Sequence, residues 1–202
     1  MILYEKKGGL FMTLNDVFEE ILVGYNITNA AVKDKYSKIY KTLQKDSIQY
    51  TNMIDSRLIE KAFTGEVKKK YFLHPRDILI FVKKPYRVGT YTFETKDDIV
   101  IPNNFIILRG INMNLYSYIF VANYLEKFGI KNYIEKNQFI GNLTLDDIKK
   151  IELPDISKER QMTISPLLNA INERSAIYTN ILENDDKIIC YAIESITGDI
   201  HD

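Results

Sequence analysis

The sequence contains little of what metal centres, disulfide frameworks and membrane anchors require. Cys190 is the only cysteine, and His74 and His201 are the only histidines. A disulfide within the chain is therefore impossible, and a zinc site is not expected. No uncharged apolar run approaches the roughly 20 residues of a membrane-spanning helix, and the first residues lack the apolar core of a signal peptide. These absences predict a cytoplasmic protein without a structural metal or a cofactor.

The chain also lacks net charge, because 27 Lys and Arg balance 27 Asp and Glu. Proteins that neutralise DNA phosphates normally carry a basic surplus, so this balance at first argues against a nucleic-acid partner. The balance hides an asymmetry, however. Residues 1–156 hold 23 basic against 19 acidic residues, and residues 157–202 hold 4 against 8. The N-terminal part is therefore basic and the C-terminal part acidic.

In residues 13–156, short β-branched and aromatic runs are separated by turn residues. Asp77–Lys83 is the clearest core strand, and Lys38–Leu43 alternates as a half-buried strand does. Ile99–Leu108 predicts two strand pieces around an Asn-Asn turn, since its proline cannot donate to a central ladder. Asp16–Val23 fits either a short strand or a short helix.

Two segments of the same part have helical patterns. Apolar and aromatic residues recur at helical spacing over Leu115–Phe128, and Gly129 follows where a C-terminal capping glycine is common. Thr144–Lys150 predicts a helical turn with Thr144 as its N-cap. Because these strands and helices do not alternate as βαβ units, they indicate an α+β domain.

The C-terminal part carries a hydrophobic repeat of 3.5 residues. Ten positions between residues 164 and 196 follow one another in steps of four and three, and eight of them are apolar. Such a repeat predicts a helix that packs along another helix over its whole length. The apolar positions are Ile164, Leu168, Ile171, Tyr178, Leu182, Ile189, Ala192 and Ile196.

Two residues interrupt this pattern. Asp185 lies on the apolar stripe, and Pro166 removes a helical hydrogen bond. Pro166 either kinks the helix or marks its first turn, with Ser165 as the N-cap, and the sequence leaves both possibilities open. A helix over residues 157–196 would span about 60 Å, farther than the domain before it, so it must find a partner.

Four short segments, in this order, resemble motifs of the specificity subunits of type I restriction-modification systems. Leu14–Ile21 is similar to their "L-G-D-V" opening, Leu73–Ile80 to "L-x-x-G-D-I-L-I", Ile140–Pro154 to the exit segment "L-x-x-I-x-I-P-L-P", and Lys158–Ile164 to "E-x-Q-x-x-I" at the start of the spacer helix. The resemblance covers nearly the whole chain. It departs from the family at Arg76, where glycine is preferred, and in keeping only Pro154 of two exit prolines.

This resemblance implies a subunit without catalytic chemistry of its own. Specificity subunits direct a methyltransferase subunit, and in some systems a restriction subunit, to a bipartite site in double-stranded DNA. Full-length members have two target-recognition domains and two antiparallel spacer helices. The resemblance therefore implies a compact α+β target-recognition domain over residues 1–156, and a long coiled-coil helix over residues 157–202 that pairs in a homodimer to read a palindromic split site.

Basic residues near aromatic ones are the candidates for DNA contacts. Lysine and arginine neutralise phosphates, and arginine also pairs with guanine edges. The candidates form three clusters: Lys33, Lys35, Lys38, Tyr40 and Lys41; Lys68, Lys69 and Lys70; and Lys83, Lys84, Tyr86 and Arg87. The third cluster, in the loop after the core strand, is preferred. For any single lysine, a solvated surface position is the alternative.

Two other classes of function remain open. Asp77, Glu94 and Lys96 match the loose D…E-x-K spacing of magnesium-dependent nucleases, a pattern that often arises by chance. The other alternative is a non-catalytic interaction module whose coiled coil is its whole function. DNA binding separates the three classes, because a specificity subunit binds with a steep salt dependence, an interaction module does not bind, and a nuclease degrades DNA with Mg²⁺.

Overall fold

The structure, a computed structural model, describes residues 12–27, 37–44, 47–48, 58–64 (backbone alone), 66–91 and 98–198. The strands are β1 (Met12–Thr13), β2 (Phe18–Val23), β3 (Ser37–Leu43), β4 (Leu58–Thr64), β5 (Ile78–Phe81), β6 (Arg87–Thr90), β7 (Ile99–Val100), β8 (Phe105–Ile111) and β9 (Glu152–Leu153). The helices are α1 (Leu14–Val17), α2 (Tyr118–Tyr124), α3 (Ile130–Asn137), α4 (Leu145–Lys149) and α5 (Lys158–Gly198). This is the α+β arrangement that the sequence predicts.

Strand β5 lies inside an antiparallel sheet with the order β2–β8–β5–β6. Its residues point alternately to two cores. Ile78 and Ile80 pack towards the helices, whereas Leu79 and Phe81 pack towards β7 and the end of β3. Both faces of the strand are thus covered, which explains why its sequence is uninterruptedly apolar.

The second sheet has the order β4–β3–β7, with β3 antiparallel to β4 and parallel to β7. The strand predicted at Lys38–Leu43 is confirmed as β3. The two strand pieces predicted within Ile99–Leu108 are confirmed as β7 and β8, and a turn closed by the Phe105 N–H donating to the Pro102 carbonyl joins them. A two-residue ladder of β1 with β9 brings the two ends of the domain together.

Segment Asp16–Val23, which fitted a strand or a helix, is divided between both. Its first residues belong to the single turn α1, and its remainder forms β2. The Thr13 backbone N–H donates to the Asp16 carboxylate at 2.8 Å and holds the start of α1. The helical turn predicted at Thr144–Lys150 is confirmed as α4, with Thr144 as its cap.

The prediction of a helix ending at Gly129 is wrong. The helix begins at Tyr118 and continues from α2 through a π-helical turn, Leu125–Gly129, into α3. Gly129 has a helical φ of −57°, and the chain leaves the helix only at Gln138, whose φ is 49°. A side chain at Gly129 would approach Leu125 to 3.0 Å, so glycine serves close packing at this bulge instead of a cap.

Helix α5 is continuous from Lys158 to Gly198 and contains Pro166, so the alternative in which the helix begins at Ser165 is wrong. Its first turns pack against the domain through Gln161, which is fully buried. The side chain of Gln161 accepts from the Ser117 N–H at 2.9 Å and donates to the carbonyls of Leu115 and Ile156 at 3.0 and 2.9 Å. We call this group of bonds the Gln161 clamp.

Arg76, the departure from the family pattern, lies in the turn before β5 with a φ of 68°. This is the left-handed region, where a side chain costs about 1–2 kcal/mol that glycine avoids. The preference for glycine at this position therefore has a backbone reason. Two turn hydrogen bonds hold the strained residue, since the Arg76 N–H donates to Tyr91 and the Asp77 N–H donates to His74.

Candidate nucleic-acid interface

A buried ion pair lies behind the segment that carries Lys68, Lys69 and Lys70. Arg109 on β8 holds Asp77 through two parallel hydrogen bonds, with Nε 2.9 Å from Oδ1 and Nη2 2.6 Å from Oδ2. Asp77 is 1% exposed, and its Oδ2 also accepts from the His74 N–H at 2.9 Å. A bidentate pair of this kind is short, directional and shielded from water.

The same arginine fixes the segment that carries the second lysine cluster. Its Nη1 donates to the Lys70 carbonyl at 3.1 Å, and its Nη2 donates to the Phe72 carbonyl at 2.7 Å. These carbonyls flank the end of a 3₁₀ turn, Lys69–Tyr71. The backbone is thus held from inside while the side chains of Lys68, Lys69 and Lys70 remain exposed.

The sequence patterns did not identify Arg109 as a candidate, although the sequence of its strand contains a signal for a buried ion pair. It is a single charged residue in the strand FIILRGI, and strands packed on both sides rarely tolerate an unpaired charge. Ile78 pairs with Leu108 across the antiparallel sheet. The residue before Ile78, Asp77, therefore lies near the residue after Leu108, Arg109. The register that makes this pair comes from the tertiary structure.

The described part of the first cluster lies beside the second. The Tyr40 ring packs against Phe72 with centroids 5.5 Å apart. Tyr40, Lys68 and Lys69 line one open groove of about 780 Å³, together with His74 and other residues. Lys33 and Lys35 lie outside the described residues.

The groove is not uniformly basic. Lys38 Nζ lies 2.9 Å from Glu66 Oε1, and this hydrogen bond raises the pKa of Lys38 and lowers the pKa of Glu66. Glu66 and Asp98 both line the groove. Because the ion pair is exposed, water and salt screen it, and Lys38 can exchange Glu66 for a phosphate.

In the third cluster, Tyr86 and Arg87 are partly buried in contacts with the domain, and the two lysines are exposed. Tyr86 is half-buried, its hydroxyl donates to the Gly141 carbonyl, and burial raises its pKa. Arg87 is half-buried with Nη1 3.5 Å from Glu126 Oε1. These contacts anchor the loop, whereas Lys83 and Lys84 are exposed.

The structure brings two of the three clusters together and separates the third. Lys68–Lys70 and Tyr40 lie near the Asp77 end of β5, while Lys83 and Lys84 follow its other end. The four residues of β5 separate these ends by about 13 Å.

The nuclease alternative loses support from the position of its first carboxylate. Both oxygens of Asp77 are hydrogen-bonded to Arg109 inside the protein. A metal ligand would need at least one of them facing the metal. Glu94 and Lys96 lie outside the described residues.

The apolar stripe of α5 is uncovered in the single chain. Asn172 is the last buried residue among the described side chains of the helix, so most of its length extends past the packed domain. Six of the eight predicted seam residues have exposed fractions of 41–68%. These are Ile164, Ile171, Tyr178, Leu182, Ile189 and Ile196, whereas Leu168 is half-buried and Ala192 is exposed. An apolar surface of this length marks a protein contact.

Solved structures share the fold of this chain, an α+β domain followed by a long helix. The HsdS subunit from Thermoanaerobacter tengcongensis superposes with a TM-score of 0.58 at 17% identity, over 91% of this chain and 47% of that one. The chain has the HsdS fold. A chain from a type I R-M system, solved to explain complex assembly and conformational transition, gives a TM-score of 0.55 at 16% identity, over 92% of this chain and 43% of that one.

The similarity is one of fold, and the chain spans less than half the length of either HsdS-like chain. No protein-family model and no curated protein matches the sequence. Within the residues that the structure describes, no helix is both long and apolar enough to cross a membrane.

Two of the sequence motifs have a structural reason in this chain. The aspartate of the "G-D-I-L-I" segment is Asp77, which is held by Arg109. The glutamine of "E-x-Q-x-x-I" is Gln161, which clamps α5 to the domain. Both residues therefore stabilise the fold.

Replacing Asp77 tests the structural role of the pair. Asp77→Asn leaves the Arg109 guanidinium without its counter-charge, and we expect the free energy of unfolding to fall by about 3–5 kcal/mol. Urea denaturation followed by circular dichroism measures this change. Asp98→Asn, at an exposed position, is the matched control and is expected to stay within about 0.5 kcal/mol of the parent. Equal stability of the two variants would contradict this role.

Proposed function

We propose that this chain is a non-catalytic specificity subunit that binds double-stranded DNA and directs a DNA methyltransferase subunit of a type I restriction-modification system to a split site. The observation that carries the proposal is the HsdS fold over more than nine-tenths of the chain, ending in a helix with an uncovered apolar stripe. A restriction subunit is a further partner of the same assembly.

The proposed DNA surface is centred on Lys68, Lys69 and Lys70. Their backbone is fixed by the Arg109 pair and their side chains are exposed, so they reach phosphates from a rigid base. Tyr40 lines the same groove. Lys83 and Lys84, which follow the other end of β5, form a second proposed contact, and Lys33, Lys35, Lys38 and Lys41 remain proposed contacts. Tyr86 and Arg87 serve mainly to position the loop.

The triple variant Lys68→Ala, Lys69→Ala and Lys70→Ala tests this surface. Each lost phosphate contact removes about 0.9 from the slope of log K against log salt concentration, so we expect the slope to fall by about 1–3. Fluorescence anisotropy with duplex DNA at several salt concentrations measures it.

A control triple variant has the same charge change away from the proposed surface. Lys127→Ala, Lys131→Ala and Lys149→Ala alter the helical side of the domain and should leave the salt slope unchanged. If both triple variants bind with the parent's affinity and slope, the Lys68–Lys70 surface is not the DNA site. Degradation of the duplex after addition of Mg²⁺ would instead support the nuclease.

We further propose that two copies pair through the stripe of α5. The described residues form one domain and one long helix, and the chain spans less than half the length of the HsdS chains that share its fold. A two-fold axis between two helices would supply the second domain and present two equal DNA surfaces. The recognised site is then palindromic, with a spacer set by the length of the rod.

Charges placed on the stripe should dissociate this dimer. In Ile171→Asp with Leu182→Asp, each chain buries two unpaired carboxylates in the seam. We expect light scattering to report the 23.6 kDa monomer at micromolar concentration. Asn180→Asp with Lys187→Gln makes the same charge change on the other side of the helix and should remain dimeric. A monomeric parent protein would contradict the proposed dimer.

A second apolar stripe is proposed as the methyltransferase contact. Ile177, Ile181, Ile188 and Tyr191 recur at helical spacing, about 100° around the helix from the first stripe. All four side chains are exposed in the single chain. A helix with two apolar faces can bind two neighbours at once.

The two stripes can be separated by mutation. We expect Ile177→Asp with Ile188→Asp to lose co-purification of the methyltransferase subunit from the native host, while light scattering still reports a dimer. If the methyltransferase is retained by this variant, the second stripe is not its binding surface. Loss of the dimer in this variant would assign the second stripe to self-association instead.

A further inference from the structure

Two of the ten stripe positions on α5 are polar, and their placement constrains how two helices can pair. Ser175 and Asp185 interrupt a seam that is otherwise apolar. An unpaired carboxylate between two packed helices is costly, whereas a polar layer with partners fixes register at moderate cost. Asp185 therefore needs a partner group across the seam.

In an antiparallel pair, facing residues have numbers with a constant sum. When residue i faces residue 360 − i of the second copy, all ten positions find partners on the stripe. The resulting layers are Ile164 with Ile196, Leu168 with Ala192, Ile171 with Ile189, Tyr178 with Leu182, and Ser175 with Asp185. The two polar positions therefore share layers, and the apolar positions face only apolar ones.

We propose that two copies of α5 pair in this register, with the two-fold axis at the level of Asn180 along the helix. The proposal rests on the dimer proposed above. A shift by one heptad in either direction places Asp185 opposite Leu168 or Leu182 and leaves stripe positions without partners. A parallel pair in register places Asp185 against its own copy, where like charges repel. The antiparallel register centred on residue 180 places no leucine opposite Asp185, leaves no stripe position without a partner and brings no like charges together.

Arg174 supplies the charge that Asp185 requires. It precedes Ser175, so in this register its guanidinium lies next to the layer in which Asp185 of the second copy sits. Within one chain the two residues are eleven positions apart, about 16 Å along the helix, which is too far for an ion pair. Ser175 is small and leaves room for the carboxylate. The two-fold axis produces this Arg174–Asp185 contact twice.

The register also fixes the distance between the two domains. Each Gln161 clamp lies 19 residues from Asn180, so the two clamps are about 57 Å apart along the rod. A change of register by one heptad would alter this distance by about 10 Å.

Disulfide trapping tests the register directly. In a Cys190→Ser background, Ile171→Cys with Ile189→Cys places two cysteines about 27 Å apart within one chain, too far to join. In an antiparallel pair they meet only when facing residues sum to 360, whereas a parallel pair in register would join each cysteine to its own copy and trap any stripe cysteine, including those of the controls below. We expect mild oxidation to convert most of this variant into a covalent dimer on a non-reducing gel.

Two matched variants report the shifted registers. In an antiparallel pair, Ile171→Cys with Leu182→Cys joins only if the register is shifted one way, and Tyr178→Cys with Ile189→Cys only if it is shifted the other way. Trapping of all three variants would indicate a parallel pair and would overturn the register. A covalent dimer from either control, but not from the first variant, would overturn the register and leave the proposed function intact. A dimer in light scattering with no trapped variant would also overturn it. A monomer in light scattering would overturn the proposed dimer itself.

The ion pair is tested by charge reversal. We expect Arg174→Glu to weaken dimerisation at least tenfold, and the double variant Arg174→Glu with Asp185→Lys to restore it. Lys187→Glu reverses a charge outside the seam and should have little effect. Asp185→Leu should keep the dimer but permit trapping in a shifted register. Unchanged dimerisation of Arg174→Glu would overturn the contact.

Discussion

The Gln161 clamp joins the two parts of this protein. One buried amide uses both its oxygen and its nitrogen on backbone groups of the segment before α2 and of the segment before α5. Removing it would leave these backbone groups without partners inside the protein, which is more costly than losing one exposed hydrogen bond. Because the clamp lies in the first turn of α5, it sets the direction in which the rod leaves the domain. A rod with a fixed direction can act as a spacer.

Inside the domain, the Asp77–Arg109 pair has a comparable role at the opposite side of the sheet. Burying two charges is expensive, and the protein offsets this with a bidentate contact and two further bonds to backbone carbonyls. The result is a rigid base for exposed lysines. Loop side chains on a rigid base lose less conformational entropy when they bind phosphates than those on a loose loop. Stability and proposed function are therefore coupled through Arg109.

The long helix has little to stabilise it within one chain, and its apolar stripe needs a neighbour to cover it. Pro166 removes one hydrogen bond, and beyond Asn172 the described side chains are mostly exposed to solvent. A helix of this kind gains most of its stability from packing and not from propensity. Its apolar stripe therefore favours binding of a partner helix. The proposed layer of Ser175 with Asp185 favours one alignment of that partner. In the proposed dimer, affinity and alignment come from different residues of the same seam.

The sequence by itself determined the local elements: the core strand at Asp77–Lys83, the capped turn at Thr144 and the long amphipathic helix, because each depends on neighbours within a few residues. It misplaced the helix end at Gly129, since a π-helical turn depends on close packing that local patterns do not record. Only the tertiary structure decided that Arg109 meets Asp77, that Lys68–Lys70 lie near Tyr40, and that Arg87 faces Glu126. These contacts join residues tens of positions apart, and the register of the sheets, which no short segment contains, brings them together.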